Sequence, residues 1–130
     1  MNGEPIKVSQ RSGREHWLLA TGFPWRKREI IDQYIDLFKE LFKGAAGARR
    51  AGAAALDMAY VAAGRVEGFF ELGLSPWDLA AGELLVREAG GLVTDFSGGP
   101  EAVWRGDVAA ACPMAHAWLQ ETCARHFPAG

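Results

Sequence analysis

The 130 residues are 49% hydrophobic, enough for one compact domain with its own core and too apolar for a disordered chain. A formal net charge of -2 and a pI near 5.9 exclude a general attraction to nucleic acid or anionic lipid, so either partner would need a local patch. No basic region followed by an apolar run opens the chain and no segment approaches membrane-spanning length. Cys112 and Cys123 are too far apart for a Cys-x-x-Cys pair and read as reduced thiols, so a soluble cytoplasmic protein is expected.

Asn2-Gly3 is a tight-turn dipeptide that ordinarily joins two elements, which leads us to expect something before it. Residues 6–8 alternate as a strand does, and 17–21 form a short apolar run closed by Gly22-Phe23-Pro24. From 29 to 43, Ile30, Ile31, Tyr34, Leu37, Phe38, Leu41 and Phe42 recur at helical spacing opposite Asp32, Asp36, Lys39 and Lys43, which predicts an amphipathic helix. Gly44 to Gly47 stops it. An alanine-rich helix is expected over 53–63, ended by Gly64. Residues 66–72 read as a strand centred on Phe69 and Phe70, with Glu71 at its C-terminal end.

Ser75-Pro76-Trp77-Asp78 combines a capping serine, a proline at the first helical position and an acid at the third, which predicts a helix over 76–89 stopped by Gly90-Gly91. A strand at 92–96, a turn at 97–100, a strand at Val108–Ala111 and a helix at 113–127 complete the chain. This order predicts an α/β fold, a mixed β-sheet flanked by helices, with no repeat or linker that would divide residues 1–130 into two domains.

Open α/β sheets place ligand sites at the C-terminal ends of their strands. Glu71 and Asp78, at the two ends of the loop between a strand and a helix, are therefore the candidate site. For Asp78 the competing explanation is a helix cap that also favours the helix dipole; for Glu71 it is a solvated strand end. Gly52-Ala53-Ala54-Ala55 opens the preceding helix with unobstructed backbone N–H groups that suit a phosphate or hydroxyl, or else provides small residues for close packing. Trp25 beside Arg26-Lys27-Arg28, together with Arg49-Arg50, offers a stacking and phosphate-binding patch, or a solvated face. His16, His116 and His126 have no metal or triad spacing. No phosphate-binding Gly-x-x-x-x-Gly-Lys loop or Gly-x-Ser-x-Gly elbow is present.

The run from Arg49 through Gly52-Ala53-Ala54-Ala55-Leu56-Asp57-Met58 to Glu71, and then Pro76-Trp77-Asp78-Leu79-Ala80-Ala81-Gly82 through Asp95, resembles the C-terminal half of the inositol monophosphatase family. Asn2 to Ser9 and Leu19 to Pro24 extend the likeness to nearly the whole chain. It is most similar to the bacterial extragenic-suppressor branch. The resemblance implies the C-terminal lobe of the sugar-phosphatase fold and a magnesium-dependent phosphomonoesterase acting on inositol monophosphate or a related sugar phosphate. It gives Asp78 a magnesium-ligand and catalytic role, Glu71 a substrate-hydroxyl contact, and Gly52, Ala53 and Ala54 contacts to the substrate ring.

Two departures qualify that expectation. Ala53 stands where the family has a hydroxyl residue, so its side chain has no hydroxyl to offer a substrate or a helix cap. The Gly-Glu-Glu-type segment and the Asp-Pro-x-Asp-Gly-Thr motif that supply the family's other metal ligands have no match in these residues. The resemblance therefore implies weak or no magnesium binding and little activity by this chain alone, with the N-terminal metal-binding lobe absent. It also leads us to expect association, either as a homo-oligomer or with a complementary N-terminal lobe, through a sheet face or edge left uncovered. The alternatives are a non-catalytic module of the transcription and ribosomal RNA antitermination type, or a truncated remnant.

Overall fold

The computed structural model describes residues 6–22, 28–49 and 54–128. In chain order the elements are β1 (Leu18–Thr21), α1 (Ile31–Gly44, entered through a 3-10 turn), β2 (Gly47–Arg49), α2 (Ala54–Ala62), β3 (Gly68–Glu71), α3 (Pro76–Glu88), β4 (Leu92–Thr94), α4 (Ala102–Arg105), β5 (Val108–Ala111) and α5 (Pro113–His126). The strands form one five-stranded sheet in the order β2-β1-β3-β5-β4. Strand β1 is parallel to β2 and β3, and β5 is antiparallel to β3 and β4. This is the expected mixed sheet.

Helices cover both faces of the sheet. In β3 a side chain at Gly68 would meet Leu119 of α5 at 3.0 Å, and Phe70 lies 6.1 Å from the Tyr34 ring of α1. Alternation then turns Phe69 and Glu71 to the opposite face, where α2 and α3 lie. Phe69, Phe70 and all four residues of β5 are fully buried, as strands between two helical layers must be. Helix α1 buries Tyr34, Leu37 and Leu41 and holds α5 through Glu40, which accepts hydrogen bonds from Arg125 and pairs with His126 at 2.8 Å. Those bonds hold the Glu40 carboxyl down at about 2.

Sequence and structure part company at three short segments. Residues 6–8 are not a strand; the Val8 N–H donates to the Ala89 carbonyl at 3.1 Å, which ties this segment to the end of α3. Strand β2 was not expected, because three residues with small side chains show no alternation; it exists through parallel pairing of Gly47, Ala48 and Arg49 with Leu18, Leu19 and Ala20. The single turn of α4 was likewise not foreseen. Cys112 and Cys123 are free, buried thiols, and burial pushes both thiols upward. No helix among the described residues is long and apolar enough to cross a membrane.

Helices α2 and α3 cross closely at Gly82, where a Cβ would stand 2.6 Å from the Met58 sulfur and 2.9 Å from its Cβ. Alanine there gains up to about 1 kcal/mol of helix propensity but overpacks a rigid contact at a cost of about 1–3 kcal/mol. Gly82→Ala is therefore expected to lower stability, read as a reduced urea midpoint with unchanged slope; an unchanged or higher midpoint would show that the crossing can relax.

Candidate functional site

Four element ends meet at the C-terminal edge of the parallel strands. Strand β1 ends at Thr21 and is followed by Gly22, β3 ends at Glu71, and α2 and α3 begin at Ala54 and Pro76. Gly22 leaves open the space in which the Glu71 carboxylate lies. Thr21 turns inward, its Oγ1 2.8 Å from the Tyr34 hydroxyl. Gly73, at φ 76°, takes the left-handed turn that brings the chain from β3 into α3. The next residue is tethered by its N–H to the Gly106 carbonyl at 3.0 Å.

Asp78 caps α3 as its position predicts. Its Oδ2 accepts from the Ser75 hydroxyl at 2.6 Å and from the Ser75 backbone N–H at 3.4 Å. Both bonds end on one oxygen of the carboxylate. Glu71 is half-buried, and its carboxyl is raised to about 7, first by burial and then by the negative charges of Asp57 and Asp78. The structure thus brings the two predicted acids into one electrostatic cluster and adds a third.

Asp57 has no assigned role in the sequence reading, although a signal was present. It is the one charged residue in Ala54–Ala62, and it is 1% exposed. A charge in such a helix has to face a polar site or a partner. Of the ring-contact candidates, Ala54 is the first residue of α2, whereas Gly52 and Ala53 lie outside the described residues, as do Trp25, Arg26, Lys27 and Arg50. His116 pairs with Thr94 at 2.9 Å and His126 with Glu40, away from this cluster. A cleft of about 300 Å³ begins at Leu72 and Gly73 and is lined by Ile30, Arg105, Asp107 and Phe127; it holds none of the three carboxylates.

Among the described residues no group of three or more His, Cys, Asp or Glu is placed to hold a metal ion. The cluster can receive a hydrogen-bond donor or contribute single oxygens to a cation, but does not enclose one.

Residues 1–127 match the inositol monophosphatase family. A protein named Nus factor SuhB from Pseudomonas aeruginosa is 49% identical over an alignment of 130 positions that covers 98% of this chain and 48% of that protein. Its namesake from Escherichia coli K12 is 51% identical over 113 residues, 87% of this chain and 42% of that one. Among solved structures, the extragenic suppressor protein suhB from Bartonella henselae aligns with a TM-score of 0.88 at 39% identity, covering 94% of this chain and 47% of that one. An inositol monophosphatase from Anabaena aligns with 0.86 at 42% identity, covering 95% and 49%. The chain spans about half the length of the curated relatives it matches.

The raised Glu71 carboxyl has a consequence for stability. At about 7 in the fold against 4.5 ordinarily, it holds a proton that the unfolded chain has already lost. Its contribution is full below pH 4.5 and declines as the pH climbs to about 7. Glu71→Gln is expected to flatten that decline and to stabilise the chain at pH 8 by roughly 1–2 kcal/mol, the partial exposure of the group being allowed for. Denaturant titrations at pH 5 and pH 8 measure it; an equal slope in both proteins would contradict the burial of this carboxyl.

Proposed function

The chain belongs to the inositol monophosphatase family, and from that membership we propose that it forms the C-terminal lobe of a magnesium-dependent phosphomonoesterase for inositol monophosphate or a related sugar phosphate. The observation that carries this reading is the convergence of Glu71 and Asp78 at adjoining ends of β3 and α3, on the side of the sheet where α2 also begins. In its ionised form Glu71 accepts a hydrogen bond from a ring hydroxyl, a charge-assisted contact worth ~1.5–3 kcal/mol. Gly52, Ala53 and Ala54 are assigned to contact the ring, Ala54 standing at the first position of α2. Asp78 is assigned as the catalytic carboxylate; oriented by the Ser75 bonds to its Oδ2, it would help to hold magnesium, which would supply charge stabilisation to the phosphoryl group.

Magnesium favours about six oxygen ligands in near-octahedral geometry, and the described residues do not assemble them. The remaining ligands are assigned to the half of the family fold that this chain does not span, and the chain alone is nearly inactive. Phosphate release from inositol monophosphate with magnesium tests this, with the chain alone and joined to the unmatched half of the Pseudomonas relative. Activity is expected in the joined protein only, and Asp78→Asn in it should lose at least about 100-fold in kcat/KM, ~2.7 kcal/mol of barrier. Activity in the chain alone, or full activity in Asp78→Asn, would overturn the reading.

A second reading draws on the relatives' name, Nus factor. In it the chain is a non-catalytic module that works with the transcription machinery on ribosomal RNA, using Trp25 and Arg26-Lys27-Arg28. Neutralising these three cations should remove RNA binding and reduce its salt dependence, by roughly one unit of log–log slope for each phosphate left without its cation. Binding insensitive to salt and to these substitutions would count against it.

A further inference from the structure

Helices occupy both faces of the sheet, so the sheet face expected to stand uncovered is not present, and the concave surface lies where strands and helices end. The cleft of about 300 Å³ there matches the smaller ligand pockets of proteins. Ile30 and Phe127 place it beside the α1–α5 layer, whereas Glu71 and the other two acids lie with α2 and α3. These two and Leu72 give it apolar walls, and its charges are those of Arg105, Asp107 and the exposed Glu29.

Arg105 and Asp107 both have hydrogen-bonding capacity that the chain does not fill. Asp107 is 9% exposed, and its buried Oδ1 has no hydrogen-bond partner among the described residues. The Arg105 Nε stands 3.4 Å from it without donating to it. The other oxygen, Oδ2, is neither fully buried nor hydrogen-bonded among the described residues, so it is the one that can meet a ligand in the cleft. A carboxylate withdrawn from water in this way is costly until a counter-charge completes its pairing. Arg105 does so only in part, and among the described residues its two Nη groups meet no acceptor.

A ligand with a single charge is drawn to one of these side chains and repelled by the other. A zwitterion suits both, its ammonium donating to Asp107 Oδ2 and its carboxylate accepting from the planar Arg105 fork. Because Arg105 and Asp107 are themselves only 3.4 Å apart, the two ligand charges have to be close neighbours, as they are when one carbon carries both. We propose that this cleft binds a free α-amino acid with an apolar side chain, which lies along Ile30, Leu72 and Phe127. The site is independent of the phosphatase reading, yet the backbone joins it to the acids. The Leu74 N–H donates to the Gly106 carbonyl at 3.0 Å, and a Cβ on Gly106 would stand 2.7 Å from the Leu74 carbonyl oxygen. The loop between Glu71 and Asp78 thus rests directly on the turn between Arg105 and Asp107, and an occupant of the cleft braces it.

Titration of the ¹⁵N-labelled chain with L-leucine, followed through its amide resonances, tests the proposal. Saturable shifts are expected at Gly73, Leu74 and Gly106, while Gly90, which precedes β4 at the opposite edge of the sheet, stays in place. L-leucinamide has no carboxylate and N-acetyl-L-leucine no ammonium; each should bind at least about tenfold more weakly than L-leucine, having lost one charge-assisted contact. Arg105→Gln, at a position whose side chain is 43% exposed, should keep the urea midpoint, bring L-leucine down to the affinity of L-leucinamide and leave L-leucinamide unchanged. A merely structural role for Arg105 would weaken both compounds alike and would overturn the proposal. Absence of saturable shifts at these amides with L-leucine in the tens of millimolar would overturn it too. So would equal binding of the three compounds, which would make the cleft an apolar hollow with no use for its charges.

Discussion

With Phe69 packed toward α2 and α3 and Phe70 toward Tyr34 of α1, strand β3 has no solvent face, so its two-residue alternation decides on which side Glu71 emerges. A slip of one residue would put the Glu71 carboxyl into the α1–α5 core and Phe70 among the acids. The register is held at the start of the strand by Glu67, which is fully buried. Its backbone N–H donates to the Leu18 carbonyl at 2.8 Å, its Oε1 accepts the Leu18 N–H at 2.6 Å, and its Oε2 lies 3.7 Å from Arg11. Buried charge is tolerated only where such partners exist. Gly68 serves the same register, since a side chain there would press on Leu119 and Leu19.

Electrostatics at the other end of β3 runs the opposite way. Burial and the charges of Asp57 and Asp78 oppose ionisation of Glu71, and such an arrangement lowers stability at neutral pH rather than raising it. Groups set against their own ionisation concentrate at functional sites, where stability is commonly given up for activity. The contrast with Glu40 is instructive. That carboxylate, held near 2 by Arg125 and His126, joins α1 to α5.

Much of this was legible in the residues. The α1 periodicity, the Ser75-Pro76-Trp77-Asp78 start of α3 and the aromatic pair of β3 each carry a local physical signal, and each element formed close to where that signal placed it. Strand β2 carries none, because it is created by its neighbour β1. The alternation of residues 6–8 misled because Val8 is buried against the end of α3 and not in the sheet. At the site, Glu71 and Asp78 were visible from their positions in strand and helix, whereas Asp57 was hidden in an alanine-rich run whose most conspicuous feature is its helix propensity. Its significance emerges only when the start of α2 is set beside the end of β3.

Capping and ligation at Asp78 need not compete. The Ser75 hydroxyl and N–H both reach Oδ2, which locks the carboxylate in one orientation at a benefit of about 1 kcal/mol to the helix while committing only one of its oxygens. A side chain already fixed by its own fold loses little freedom when it takes a ligand, the general advantage of supporting a functional group from behind.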